Sequence, residues 1–178
     1  MAQIVIISGS PAAVSRSAAL SAYIREKAEA SGYTAEAFAV RDLPPEDLVY
    51  ARWDSPAIQE AQAAVAEAGA VILVGPVYKA SYPGVLKAFL DLIPEKGLSG
   101  KILLPIATGG TVAHLLSLEY AYKPLLSVLG AREFIDGVYL LERQLAYQGH
   151  QLTFLDAEAE QRLLAAVEGL LSRLQQNQ

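Results

Sequence analysis

Gln3-Ile4-Val5-Ile6-Ile7-Ser8-Gly9-Ser10-Pro11-Ala12-Ala13-Val14-Ser15-Arg16-Ser17 is the stretch on which the reading of the fold turns. Gln3 to Ser8 is apolar at both odd and even positions through Ile4 to Ile7, so both faces of the strand it predicts are buried. Gly9 permits a sharp exit from that strand. The helix predicted over Arg16 to Ala30 begins at once after Ser15. A buried strand, a short polar loop and a helix make the first unit of an α/β fold.

Further strands are predicted over Thr34 to Val40, Ala70 to Gly75, Lys101 to Ala107 and Phe134 to Leu140. Thr34 to Val40 alternates apolar with polar residues and suits a position near a sheet edge. Between the strands lie helical stretches over Pro56 to Ala68, Pro83 to Leu92 and Val112 to Leu129. A last helix runs from about Ala157 to Leu174, with Asp156 as its N-cap. Its apolar face is Leu163, Leu164, Val167, Leu170, Leu171 and Leu174. Strands and helices alternating over short connections predict a five-stranded parallel sheet covered on both faces. By analogy with doubly wound sheets the strand order is 2-1-3-4-5. The chain reads as one domain over residues 1–178.

Composition bounds the function. Of the 178 residues, 53% are hydrophobic and 19% charged, which excludes a disordered chain. The mean hydropathy of +0.28 raises the question of a membrane span. The most apolar run, Gly69 to Tyr78, is about ten residues long and contains Gly75 and Pro76, roughly half of what a bilayer needs. The surplus apolar surface is assigned to the buried sheet and to an oligomer interface. The start at Met1-Ala2-Gln3 has no basic flank or cleavage site, and there is no cysteine. A cytoplasmic protein follows, with no Cys-based metal site and no thiol nucleophile. The net charge of −5 gives no footprint for nucleic acid. An anionic ligand must therefore be held by local features.

Three loops supply such features, at the carboxyl ends of strands one, three and four, where sheets of this type bind ligands. In the first, Ser10, Ser15 and Ser17 offer hydroxyls, Arg16 a planar cation and the helix start free N–H groups, a combination suited to a phosphomonoester. Ser15 as a simple cap and Arg16 as a solvated side chain is the plainer alternative. The loop lacks G-x-G-x-x-G and the lysine of a P-loop. The second loop, Gly75-Pro76-Val77-Tyr78-Lys79-Ala80-Ser81-Tyr82-Pro83-Gly84, is stiffened by Pro76 and presents the aromatic surface of Tyr78. The third, Ala107-Thr108-Gly109-Gly110-Thr111-Val112-Ala113-His114, leaves backbone amides uncovered for a planar ligand. His114 is a catalytic candidate or a packing residue. Together the loops describe a phosphate cradle beside two walls for a flat ring, the layout of a mononucleotide site, with FMN the obvious occupant.

These blocks, with Pro44-Pro45-Glu46-Asp47-Leu48, Tyr50-Ala51-Arg52 and Asp54-Ser55-Pro56, resemble the NAD(P)H-dependent FMN reductases of two-component alkanesulfonate monooxygenase systems. The resemblance covers most of the chain. It implies a flavodoxin-like fold, FMN and NADPH or NADH as cofactors, and reduced FMN released to an alkanesulfonate monooxygenase partner. It further implies that Ser10, Ser15, Arg16 and Ser17 hold the FMN phosphate. Pro76, Val77, Tyr78 and Lys79 then contact the ribityl chain and ring, and Thr108, Gly109 and Gly110 line the isoalloxazine edge. Where that family commonly has an arginine two residues after Gly-Ser, this chain has Ala12, which shifts the electrostatic load to Arg16. Some members carry an inserted tyrosine in a π-bulge at a tetramer interface, and Tyr120 stands at that place. A homo-oligomer, dimer or tetramer, is implied with it.

Hydride transfer between two stacked rings is chemistry of the cofactors, so no catalytic side chain is expected. The rival readings are an FMN-bound quinone or azo reductase and a flavodoxin-type electron carrier without NAD(P)H activity. Arg16 and the modest charge disfavour the carrier. Lys79 and Arg52 are candidates for a 2′-phosphate contact or for surface ion pairs, which leaves NADPH and NADH equivalent.

Overall fold

The computed structural model describes residues 3–177; the reading of Met1 and Ala2, and the last residue of the 1–178 span, lie outside the described residues. In chain order the elements are β1 (Ile4–Ser8), α1 (Arg16–Ala30), β2 (Ala35–Ala39), α2 (Pro45–Val49), α3 (Pro56–Glu67), β3 (Ala70–Pro76) and α4 (Gly84–Leu90). There follow β4 (Ile102–Gly109), α5 (Lys123–Val128), β5 (Glu133–Phe134), β6 (Val138–Leu141), β7 (Leu145–Gln148), β8 (Gln151–Phe154) and α6 (Ala157–Gln176). The main sheet is parallel, in the order β2-β1-β3-β4-β5, with β6 also pairing on β4. The predicted α/β class and strand order are both present.

The apolar runs explain this placement. Alternate residues of the central strands feed two separate cores. Val5, Ile7, Val71, Leu73, Leu103 and Ala107 pack with Ile58 and Val65 of α3 and with Leu86 and Phe89 of α4. Ile4, Ile6, Ile72, Val74, Leu104 and Ile106 pack on the other face with Leu20 and Ile24 of α1 and with Leu163 and Leu170 of α6. Each fully buried aliphatic side chain of this kind stabilises the fold by about 1.5–3 kcal/mol. β2, whose pattern alternates, is the edge strand. Of the predicted apolar face of α6, Leu163, Val167, Leu170, Leu171 and Leu174 are buried and Leu164 only half so.

Three sequence expectations need correction. The fifth strand, predicted as one run over Phe134 to Leu140, is broken into β5 and β6, and the cause is in β4. Ile135 N donates to Leu103 O at 2.9 Å, so the odd-numbered residues of β4 direct their backbone groups to this side. Pro105 has no N–H to give there, and the ladder lapses between Leu103 and Ile106. Gly137 lets the bulged chain pass, because a Cβ there would stand 3.2 Å from Pro105 O.

The helix predicted over Val112 to Leu129 is also interrupted. Val112–His114 is a single 3-10 turn, Leu118–Tyr122 is a π-helical turn, and only α5 is regular. Pro124, in the first turn of α5, cannot donate to the preceding turn, while Lys123 N reaches back five residues to Leu118 O. The third difference is an addition. The antiparallel hairpin β7–β8, turning at Gly149 with φ of 59°, occupies sequence read as connection. It lies over α1, where Phe154 meets the ring of Tyr23 edge-on at 5.4 Å.

Two outcomes follow for stability. Leu163→Ala removes a fully buried side chain between α6 and the sheet. It should cost about 2–5 kcal/mol in urea unfolding. Asp156 Oδ1 accepts from Glu158 N at 3.0 Å and Ala159 N at 3.1 Å. Those bonds, with one from Gln144, hold its carboxyl below the usual value of 3.8. A depressed carboxyl pKa gives stability that is present above the unfolded value and lost as pH falls through the folded one. Hydrogen exchange at Glu158 and Ala159 should therefore accelerate relative to the sheet amides only below pH 3.8.

Candidate functional site

β1, β3 and β4 are neighbours in one parallel sheet, so their carboxyl ends open on one edge. Backbone bonds tie the exits together. Gly9 N donates to Val74 O at 2.8 Å, and Val77 N donates to Thr108 O at 2.8 Å. A Cβ on Gly9 would come within 2.9 Å of the Leu86 side chain, so glycine lets α4 pack directly on the first loop. The three loops read from the sequence thus form one contiguous edge.

In the first loop the polar groups are the covered ones. Ser8, Ser10, Ser15 and Ser17 are buried, whereas Pro11 to Val14 is exposed. Ser10 Oγ accepts from Ala12 N at 3.2 Å, and Ser15 Oγ caps α1 by accepting from Ala18 N at 3.1 Å. Each hydroxyl keeps its hydrogen as a donor for an anion. Arg16 is not simply solvated. Its Nη1 lies 3.6 Å from Glu142 Oε2, and its guanidinium stands 5.5 Å over the ring of Tyr147. Its Nε is buried without a hydrogen-bond partner.

The second loop is a tight turn in which Tyr78 and Ser81 exchange N–H to C=O bonds of 2.9 and 3.1 Å. Lys79 and Ala80 between them have φ of 51° and 63°. Two successive non-glycine residues in the left-handed region cost about 1–2 kcal/mol each, and such strain gathers at functional sites. The turn projects Tyr78, with about half of its surface exposed, and the exposed Lys79. The Lys79 ammonium has no ion-pair partner among the described residues. Pro76 and Val77, behind it, are half-buried. Arg52, by contrast, is engaged by Glu46 at 3.6 Å and Asp47 at 3.4 Å.

In the third loop Thr108 and Gly109 are buried and Gly110 is exposed. Tyr139, which the sequence reading did not single out, shapes this loop. Its hydroxyl donates to Thr111 O at 2.8 Å and occupies the space that a Cβ on Gly109 would need. Burial, with the nearby Glu142 carboxylate, raises its phenol pKa and keeps it a donor. Glu142 and Tyr147 were missed as well. Nothing local marks them, because they meet Arg16 only through the fold.

His114 ends the 3-10 turn, exposed, and its side chain has no partner among the described residues. Tyr120 sits in the middle of the π-helical turn with 79% of its surface exposed. Val112, Leu115 and Leu116 are exposed nearby in sequence. The buried tyrosine of that turn is Tyr122, which meets Tyr82 edge-on at 5.4 Å. Its unpartnered hydroxyl lies where Gly75 has no side chain, and burial raises its pKa. A cavity of about 880 Å³ borders the third loop through Val112, Leu115 and Tyr139. Tyr78, Lys79 and Gly110 line neither this cavity nor the one along β2, and stand on open surface. No helix among the described residues is long and apolar enough to cross a membrane.

The donor set suits a phosphomonoester at one end and a flat ring at the other. Residues 2–146 match the family described as NADPH-dependent FMN reductase. An FMN reductase (NADPH) of Pseudomonas putida is 46% identical over 166 residues, covering 93% of this chain and 84% of that one. An FMN reductase (NADPH) of Escherichia coli is 44% identical over 152 residues, covering 85% and 80%. The apo crystal structure of an NADH:FMN oxidoreductase superposes with a TM-score of 0.79 at 32% identity, covering 96% of this chain and 88% of that one. With its strand order, its three tied loops and these matches, the chain belongs to the NADPH-dependent FMN reductase family and is an NAD(P)H:FMN oxidoreductase of flavodoxin-like fold.

Proposed function

We propose that the chain, a single domain over residues 1–178, reduces FMN at the edge formed by the three loops and releases it to an FMNH2-dependent alkanesulfonate monooxygenase. The observation that carries the reading is the backbone bonding that locks the exits of β1, β3 and β4 together. Ser10, Ser15 and Ser17 donate hydroxyls to the phosphate, Arg16 adds charge, and the N-terminus of α1 adds free N–H groups. Pro76, Val77, Tyr78 and Lys79 bound the ribityl chain and one face of the ring. Thr108, Gly109 and Gly110 line its edge, where Tyr139 holds the loop against Thr111. FMN, when bound, supplies a ring that accepts two electrons from a reduced nicotinamide. The residues of this chain bind and orient the rings, and no side chain is assigned a proton.

Release is favoured by the openness of the site within one chain. Tyr78, Lys79 and Gly110, which would hold the ring, stand at the surface of the single chain. A homo-oligomer, dimer or tetramer, burying Val112, Leu115, Leu116 and Tyr120, is part of the same reading, with His114 beside that surface as a modulating residue. The alkanesulfonate partner rests on the resemblance of the sequence blocks. A cytoplasmic location accords with the lack of cysteine.

Steady-state oxidation of NADPH and of NADH, with FMN titrated as second substrate, tests the function. Saturable dependence on added FMN, with flavin absent from the purified protein, is expected. Tightly copurifying FMN with ping-pong turnover on quinone would instead make it a flavin-bound quinone reductase. For the site, Arg16→Ala should raise the KM for FMN about 10- to 100-fold, the loss of one charge-assisted contact. Riboflavin, which lacks the phosphate, should be reduced by the variant and the parent alike.

A further inference from the structure

Arg16 is the only charged side chain between Ser8 and Ser17, and its guanidinium already has company. Glu142 follows β6 in a 3-10 turn, Glu142–Gln144, and Tyr147 lies on β7. The turn is fastened at both ends. Gln144 Oε1 accepts from Leu141 N at 2.8 Å, and Gln144 Nε2 donates to Asp156 Oδ2 at 2.7 Å, at the N-cap of α6. Glu142 therefore approaches Arg16 from a fixed base.

The pairing is a poor one for a guanidinium. One Nη1 to Oε2 contact of 3.6 Å joins two side chains that are 32% and 47% exposed, and Nε is left buried without a partner. A paired fork of N–H groups is better matched by the several oxygens of a phosphate than by this single contact. A phosphate that engages Arg16 must displace Glu142 or share the guanidinium with it. In either case a carboxylate remains close to the incoming negative charge. The Tyr147 ring lies under the guanidinium at 5.5 Å and does not occupy its N–H groups.

We infer that Glu142 is a built-in competitor for the phosphate of FMN, weakening the hold of Arg16 so that flavin exchanges between turnovers. The inference rests on the proposed flavin site and adds to it a residue that sets affinity without belonging to the cradle. It also accounts for a charge-reversing neighbour beside the one cation of the loop.

The test is equilibrium binding, read by quenching of flavin fluorescence, for the wild-type chain and for Glu142→Gln. The variant should bind FMN about two- to fivefold more tightly, the scale of one exposed ion pair, with the gain shrinking at high salt. Riboflavin affinity should be the same for both proteins. Glu142→Ala, with a thermal midpoint close to that of the parent, should move in the same direction. Unchanged or weaker FMN binding by Glu142→Gln overturns the competition, as does an equal gain for riboflavin. If the wild-type chain itself binds no FMN, the flavin site falls and the refinement falls with it.

Discussion

The parallel pairing of β1, β3 and β4, each buried on both faces, is the constraint from which the rest of the molecule follows. Strands that run the same way must be joined by crossovers, so every exit from the sheet opens at the same edge. Helices cover both faces, which leaves the middle of the central strands apolar, with Ser8 and Thr108 only at their carboxyl ends. The chain can place a ligand only where strands end, and the bonds from Gly9 to Val74 and from Val77 to Thr108 make those ends one surface.

Rigidity at that surface comes from different sources in each loop. In the first, buried serines satisfy backbone N–H groups and hold the start of α1. In the second, the bonds between Tyr78 and Ser81 keep Lys79 and Ala80 in a conformation that isolated residues avoid. In the third, Tyr139 reaches across from β6. Electrostatics is equally local. A chain of net charge −5 presents toward one edge Arg16, a helix N-terminus and Lys79, which has no ion-pair partner among the described residues. The global field would repel an anion, so an anion held at this edge must be held by these local groups.

Continuous β-branched runs made β1 and β3 legible in the sequence, and capping residues did the same for the start of α1 and of α6. Ser15 and Asp156 both accept the bonds that their positions imply. What was not legible depends on neighbours. Pro105 is plain in the sequence, yet it breaks the fifth strand only because its missing N–H faces that side. Pro124 interrupts the long helix through the register of the turn before it. The hairpin β7–β8 did carry a readable signal, Gly149 between two alternating runs, and its role in holding Tyr147 near Arg16 is purely tertiary. The same is true of Tyr139 and Glu142. The candidate site residues sit in local motifs, whereas the residues that orient them come from distant segments.

That division bears on how such a site would work. Electron transfer between two stacked rings needs close contact and exclusion of water. A flavin that must leave needs the reverse, a shallow seat and a modest hold on its phosphate. On the proposed reading one chain would supply the shallow seat, with Tyr78 and Gly110 at the surface and Arg16 joined to Glu142 by one contact of 3.6 Å. Water exclusion must then come from something transient or external to the chain: the nicotinamide ring itself, or a second copy laid over Val112, Leu115, Leu116 and Tyr120. On the proposed reading these demands fall on different parts of the protein. The π-helical turn that carries Tyr120 begins at Leu118, four residues after the third loop ends at His114, on the same continuous segment as Gly110. Assembly and flavin access would then be set by one continuous segment, from Thr108 to Tyr122.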